Sequence, residues 1–248
     1  MKIVVIGGTG LIGSQVVSKL SEHGHEAIAA APNTGVNTLT GEGLAEVLEG
    51  ADVVVDVSNS PSFEDAAVLD FFKTATGNLL AAEKVAGVGH HVALSVVGTE
   101  RLADKGYYHA KRVQEKLIGT SGLPFTIVHA TQFFEFIGRI ADESTVDGVV
   151  RLPPVLFQPG AAADVAAVVA EVAVDAPLVG AIEIGGPEQF RFDELVRDHL
   201  EAHGDDRKVV ADVHARYFDT ELAERSLVPG DGARILTTTY DQWLRKES

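Results

Sequence analysis

Ile3-Val4-Val5-Ile6-Gly7-Gly8-Thr9-Gly10-Leu11-Ile12-Gly13 lies near the N-terminus and decides how the rest of the chain is read. The β-branched run reads as a buried strand, and Leu11 to Glu22 carries helical apolar spacing as far as Gly24. Glycines spaced this way between a strand and a helix have distinct duties. Gly7 permits the tight turn, Gly10 lets the backbone approach a pyrophosphate, and Gly13 lets the helix pack closely on the strand. The free N–H groups and positive dipole end of the helix then receive the phosphates. The Lys-Ser/Thr ending of a nucleoside-triphosphate loop is absent. The loop therefore predicts a dinucleotide held by Gly7, Thr9, Gly10, Leu11, Ile12 and Gly13.

Outward from the loop, short strand signals alternate with helices. Glu26 to Ala31 reads as a second strand, weakened by its alanines, and Leu44 to Leu48 begins a helix. Ala51 to Val57 is a strand, and Glu64 to Ala86 a long helix ended by Gly87 and Gly89. His91 to Val97, Tyr107 to Gly119 and Phe125 to His129 read as strand, helix and strand. Such runs predict an α/β protein with a Rossmann-type doubly wound parallel sheet, over residues 1–131. Beyond Gln132 the rhythm is less regular. Arg151-Leu152-Pro153-Pro154 reads as an exposed connection, Ala163 to Val174 as a helix and Ala181 to Ile184 as a short strand. Gly185-Gly186-Pro187 is a turn, and Phe192 to His203 a helix. Residues 132–248 are expected to form a smaller C-terminal substrate-binding lobe, with elements returning to the core.

Composition narrows the function. The 248 residues suffice for one large α/β domain, and 46% hydrophobic with 23% charged residues is an ordinary globular balance. Lys and Arg total 20 against 36 Asp and Glu, for a net charge of −16. That field repels phosphate backbones and anionic lipid, so neither nucleic acid nor membrane is an expected partner. Without cysteine there is no disulfide, thiolate metal site or cysteine nucleophile. The N-terminus reads as a core strand rather than a signal peptide, and no apolar run reaches membrane-spanning length, so a cytoplasmic location is expected. Among nine histidines, His199 and His203 share a helix face, but no third ligand accompanies them and no metal is expected. Oligomeric state is not readable from these features.

About 20 residues past the loop, an acidic residue would hold the ribose 2′-hydroxyl of NAD(H). Here stands Ala29-Ala30-Ala31-Pro32-Asn33-Thr34-Gly35, with neither a carboxylate to oppose a 2′-phosphate nor an arginine to receive one. Asn33 and Thr34 are candidate donors to that phosphate, or ordinary turn residues. NADP(H) is favoured slightly and NAD(H) stays open.

Farther on, Ser95 lies near the carboxyl end of a buried strand, and Tyr107 and Lys111 stand at i and i+4 of a helix, on one face. A phenol of pKa ~10 is a poor acid or base at neutral pH, and a neighbouring ammonium lowers that value. Behind a dinucleotide loop, these three are the catalytic candidates for moving a proton at a substrate oxygen. His129, Gln132, Phe133 and Phe136 are candidates to line an apolar substrate pocket, and the phenylalanines equally suit cementing the two lobes.

The loop, Asp56-Val57-Ser58-Asn59, Leu94-Ser95-Val96-Val97-Gly98, Tyr107 through Lys111, and Thr131-Gln132-Phe133-Phe134-Glu135-Phe136 resemble the atypical short-chain dehydrogenase/reductases. The similarity is greatest to the NmrA-like branch, which includes quinone-reductase-type proteins, and extends through Ser226-Leu227-Val228-Pro229-Gly230. The resemblance implies that Ser58 and Asn59 lie along the cofactor, Ala130 and Thr131 near the nicotinamide, and Lys111 at the nicotinamide ribose. Ser-Arg often stands in such sequences where this chain has Ala31-Pro32. The expected function is an NAD(P)-dependent oxidoreductase acting on a carbonyl or quinone, with an aromatic metabolite as a candidate substrate. The alternatives are a non-catalytic sensor of cofactor redox state and an aromatic polyketide tailoring enzyme such as an oxygenase.

Overall fold

Strands of Val, Ile and Ala have two apolar faces to bury, and helices cover both. The computed structural model describes residues 1–102 and 105–247. The first half runs β1 (Lys2–Ile6), α1 (Leu11–Glu22), β2 (Glu26–Ala30), α2 (Leu44–Leu48), β3 (Val53–Asp56), α3 (Asp65–Ala86), β4 (His90–Val96), α4 (Gly106–Gly119) and β5 (Phe125–Ala130). The second runs α5 (Ile137–Glu143), β6 (Thr145–Val146), β7 (Val149–Leu152), β8 (Leu156–Phe157), α6 (Ala162–Val174), β9 (Gly180–Gly185), β10 (Phe190–Arg191), α7 (Phe192–Ala202), β11 (Lys208–Ala211), β12 (Arg234–Ile235) and α8 (Tyr240–Glu247).

Seven strands form one parallel sheet in the order β2-β1-β3-β4-β5-β9-β12. Its register places Val4 beside Ile28 on one side and Val54 on the other. Alternation along the strands sends Ile3, Val5, Val53, Val55, Val92 and Val128 to the face covered by α1 and α6. Val4, Ile6 and Val54 face α2 and α3 with Leu44, Leu48 and Leu79. Chain order reverses between β1 and β3, the switch point at which open α/β sheets bind ligands beyond their carboxyl ends.

Part of the second half belongs to this sheet. α6, apolar almost all round, packs on α1, and β9 and β12 extend the sheet beyond β5. The rest surrounds its own core of Phe134, Ile137, Phe157, Phe192, Tyr240 and Trp243. The exposed connection expected at residues 151–154 is a misreading of its two prolines. Arg151 and Leu152 end β7, the central strand of the β11-β7-β6 sheet, and Leu152 is fully buried. The prolines follow where the ladder stops and no N–H is needed. The helix begun at Leu44 ends at Leu48. No helix among the described residues is long and apolar enough to cross a membrane.

Candidate functional site

The turn after β1 is built on contacts that only glycine permits. Gly7 has φ +78, in the left-handed region. A Cβ on Gly13 would lie 2.2 Å from the Gly7 carbonyl oxygen and 2.7 Å from Gly8 Cα, so α1 abuts the turn itself. Gly10 differs, because a Cβ there meets only the Gly7 oxygen, at 3.3 Å. It is the N-cap of α1, with no side-chain cap and no acidic residue in the first turn. The first amides of α1 are therefore left without a capping side chain. Orphan N–H donors at the positive end of a helix, above an open glycine, fit a diphosphate.

A cavity of about 620 Å³ opens here and runs along the carboxyl ends of β3, β4 and β5. Gly7, Thr9, Gly10, Leu11, Ile12 and Gly13 line its start. Ser58, Asn59, Ala130, Thr131 and Lys111 line its course, with Ser95, Tyr107, Gln132, Phe133 and Phe136. Three predicted residues are not brought to its wall: Asn33, Thr34 and His129. Asn33 accepts a hydrogen bond from Thr9 Oγ1 at 3.2 Å, which keeps it at the rim. Thr34 Oγ1 accepts from Ala31 N at 2.9 Å and lies 3.0 Å from Ala31 O, closing the 3-10 turn Pro32–Thr34. That hydroxyl is occupied by its own backbone. On the β2 side the lining is Ala31, Pro32, Val36, Asn37, Thr38 and Leu39, with no charged side chain.

His129 faces the helix layer instead. Its Nε2 donates to Glu115 Oε1 at 2.9 Å, and Ser95 Oγ donates to the same oxygen at 2.5 Å. Burial acts to raise Glu115, but the His129 contact, with help from Ser95 and Lys111, holds it below the ordinary carboxylate value. Ser95 thus gives its hydroxyl to Glu115, whereas the sequence suggested a substrate oxygen as its partner.

Lys111 is buried, and its Nζ donates to Leu94 O at 2.9 Å and to Gln114 Oε1. It also sits 4.4 Å above the Phe72 ring centre. Gln114 Nε2 donates to Asp56 Oδ2 at 3.0 Å, and Asp56 Oδ1 accepts from Ser58 N and Ser58 Oγ at 3.0 and 2.6 Å. This chain ties the helix lysine to the turn after β3. Burial pulls Lys111 down to about 8, against the pull of Asp56 and Glu115.

The expected lowering of Tyr107 by Lys111 is not present in this arrangement. Burial pushes the phenol above its ordinary value, and the ammonium is engaged elsewhere. Tyr107 stands among aromatic rings, with ring centres 5.6 Å from Phe63 and 5.3 Å from Phe218, the latter stacked. Phe63, Phe71, Tyr217 and Phe218 join Phe133 and Phe136 in the cavity wall. Lys111, Arg139 and Glu143 are the charged side chains among its described lining residues, and Arg139 Nε donates to Glu143 Oε1 at 2.7 Å.

Sequence reasoning missed Gln114 and Glu115, although they stand three and four residues beyond Lys111, where a helix brings side chains together. Tyr217 and Phe218 carry no local signal, since the fold alone brings them to Tyr107. His199 donates toward or accepts from Tyr240 at its Nδ1, and no metal-holding group of three acidic or histidine side chains occurs among the described residues.

Residues 7–176, more than half of the chain, match the family described as NAD(P)H-binding. Among curated proteins, the chain is 28% identical over 165 residues to the photosystem II assembly factor Ycf39 of Cyanophora paradoxa, covering 59% of this chain and 51% of that protein. It is 25% identical over 156 residues to Ycf39 of Synechocystis sp., covering 57% and 48%. The chain thus matches about half the length of these relatives. Among solved structures, a dTDP-glucose 4,6-dehydratase of Streptomyces venezuelae with NAD bound superposes with a TM-score of 0.74 at 19% identity, over 99% of this chain and 96% of the other. An NADPH-dependent quinone oxidoreductase of Escherichia coli gives 0.68 at 16%, over 99% of both. These likenesses are of fold.

Proposed function

The chain belongs to the NAD(P)H-binding family, and from that premise we propose that it is of the atypical short-chain dehydrogenase/reductase kind and reduces an apolar, aromatic carbonyl or quinone. The observation that carries this reading is the continuity of one cavity from the glycine turn to an aromatic wall. A sugar substrate would need polar partners along most of that wall, where Phe63, Phe133, Phe136 and Phe218 stand beside a few polar side chains. Flat apolar rings suit them by area and by stacking.

The residues divide the work. Gly10 and the first amides of α1 hold the diphosphate, while Ser58, Asn59, Ala130 and Thr131 flank the remainder of the dinucleotide. When bound, the nicotinamide supplies the hydride. Tyr107, a phenol in the cavity wall, donates the proton to the substrate oxygen as negative charge develops there. Lys111, fixed by Leu94 and Gln114, would hold the ribose of the bound cofactor and supply positive charge to the developing oxyanion. Closely packed rings exclude water from the reacting end.

The test is turnover with NADPH and NADH over a panel of aromatic ketones and quinones, with sugar nucleotides as the contrast. Reduction of aromatic members is expected; activity confined to sugar nucleotides would overturn the reading. The assembly-factor relatives support a second reading, a cofactor-binding module that signals to a protein partner. It predicts tight cofactor binding with no turnover of any panel member.

A further inference from the structure

Five buried side-chain polar atoms among the described residues have no hydrogen-bond partner: Thr76 Oγ1, His90 Nδ1, His91 Nε2, Tyr108 OH and Gln132 Oε1. Thr76 lies midway along α3, and the histidines begin β4, at the end of the sheet away from the cavity. Tyr108 and Gln132 are different, because both line the cavity. Tyr108 is 1% exposed and Gln132 8%. Each is fixed from outside. The Tyr108 ring packs edge-on against Phe218, and the Gln132 backbone oxygen accepts from Gly160 N at 2.9 Å. Burial raises the Tyr108 phenol, against the opposing effect of the neighbouring Gln132 amide, so it stays a hydroxyl donor at neutral pH. Gln132 is close enough to act on the phenol, yet the two do not reach hydrogen-bond geometry.

Leaving two neighbouring polar groups unpaired in a buried wall costs free energy, and natural proteins tolerate it where a ligand completes the pairing. The geometry points to Tyr108 and Gln132 as a subsite for a hydroxyl group carried on the aromatic substrate, the phenol donating to that oxygen and Gln132 Oε1 accepting the hydrogen bond from its O–H. This rests on the proposed cavity but not on turnover. It narrows the substrate class to hydroxylated aromatics, because a site built to pair a hydroxyl rejects the analogue lacking one far more strongly than an apolar wall does. A water molecule bridging the same two atoms is the rival occupant, and it would give no such preference.

The test is direct binding to the NAD+-saturated protein, by calorimetry, of the two naphthols and their methyl ethers. At least one naphthol should bind tenfold or more tighter than its ether, about 1.4 kcal/mol. Tyr108→Phe and Gln132→Leu should each bring that ratio close to one. Tyr108→Phe should also melt no lower than the wild type, since it removes a hydroxyl with no partner to lose. Equal binding of naphthols and ethers, no binding of either, or a preference that survives both substitutions would each overturn the subsite. Binding with the expected preference but no reduction of any quinone would keep the subsite and defeat the reductase reading.

Discussion

Gly10 and Gly13 are three residues apart in one turn, yet they should fail in opposite ways when enlarged. Gly13→Ala places a methyl 2.2 Å from the Gly7 oxygen and 2.7 Å from Gly8 Cα. Both neighbours are backbone, held by Gly8 N donating to Val5 O at 3.1 Å and Gly7 N donating to Ala30 O at 2.9 Å. Neither can swing aside as a flexible side chain would. Overpacking of this kind costs about 1–3 kcal/mol, or roughly 2–12 °C of Tm in a chain of this size. Gly10 has φ −84 and a single contact at 3.3 Å, so a side chain there should cost the fold no more than ~1 kcal/mol. The Gly10→Val side chain projects over the amides that receive the diphosphate, and affinity should fall at least about 100-fold, ~2.7 kcal/mol. Scanning calorimetry and NADH titration of both variants separate the effects. A Gly13→Ala protein that melts with the wild type, or a folded Gly10→Val protein of unchanged affinity, would refute this account of the turn.

Three further outcomes follow from the site. Lys111 titrates at about 8 when folded, below its value of ~10.4 in an unfolded chain, so between those values the unfolded state binds more protons and stability rises with pH. Compared with Lys111→Met, the wild type should therefore gain up to ~3 kcal/mol of unfolding free energy between pH 8 and 10.4 in urea titrations, and parallel curves would remove the buried ammonium. Because no charged side chain lines the β2 side of the cavity and the Thr34 hydroxyl is spent on its own turn, NADPH and NADH should bind within roughly 100-fold of each other, ~2.7 kcal/mol. A much larger ratio would place a selector elsewhere in the chain. Ser95→Ala should reduce turnover far less than Tyr107→Phe, since the serine hydroxyl is given to Glu115, and equal losses in kcat would return Ser95 to the reacting centre.

The first half of the fold was legible because its signals are local. Val53 to Asp56 has no solvated face, Gly87 ends α3 in the left-handed region at φ +74, and the glycine spacing states its own packing. Pro153 and Pro154 misled because the sequence cannot tell a proline that ends a buried strand from one in an open loop. The site was legible along the turn and along one face of α4. It was obscure wherever partners come from distant segments, as Phe218 comes to Tyr107 and Asp56 to Gln114. His129 shows a further limit. Its place near the end of β5 was readable, but the face it takes depends on register with Ser95 and on Glu115 waiting in the helix layer.

The most direct test of the account is a single turnover in the protein preloaded with NADPH and mixed rapidly with a naphthoquinone, followed by the loss of nicotinamide absorbance. With Tyr107 as proton donor, the wild type should transfer its hydride in one fast phase, and Tyr107→Phe should slow that phase about 10²- to 10⁴-fold with cofactor affinity almost intact. Equal rates in the two proteins would take Tyr107 out of the mechanism, and no absorbance change in the wild type with any aromatic acceptor would contradict the reductase itself.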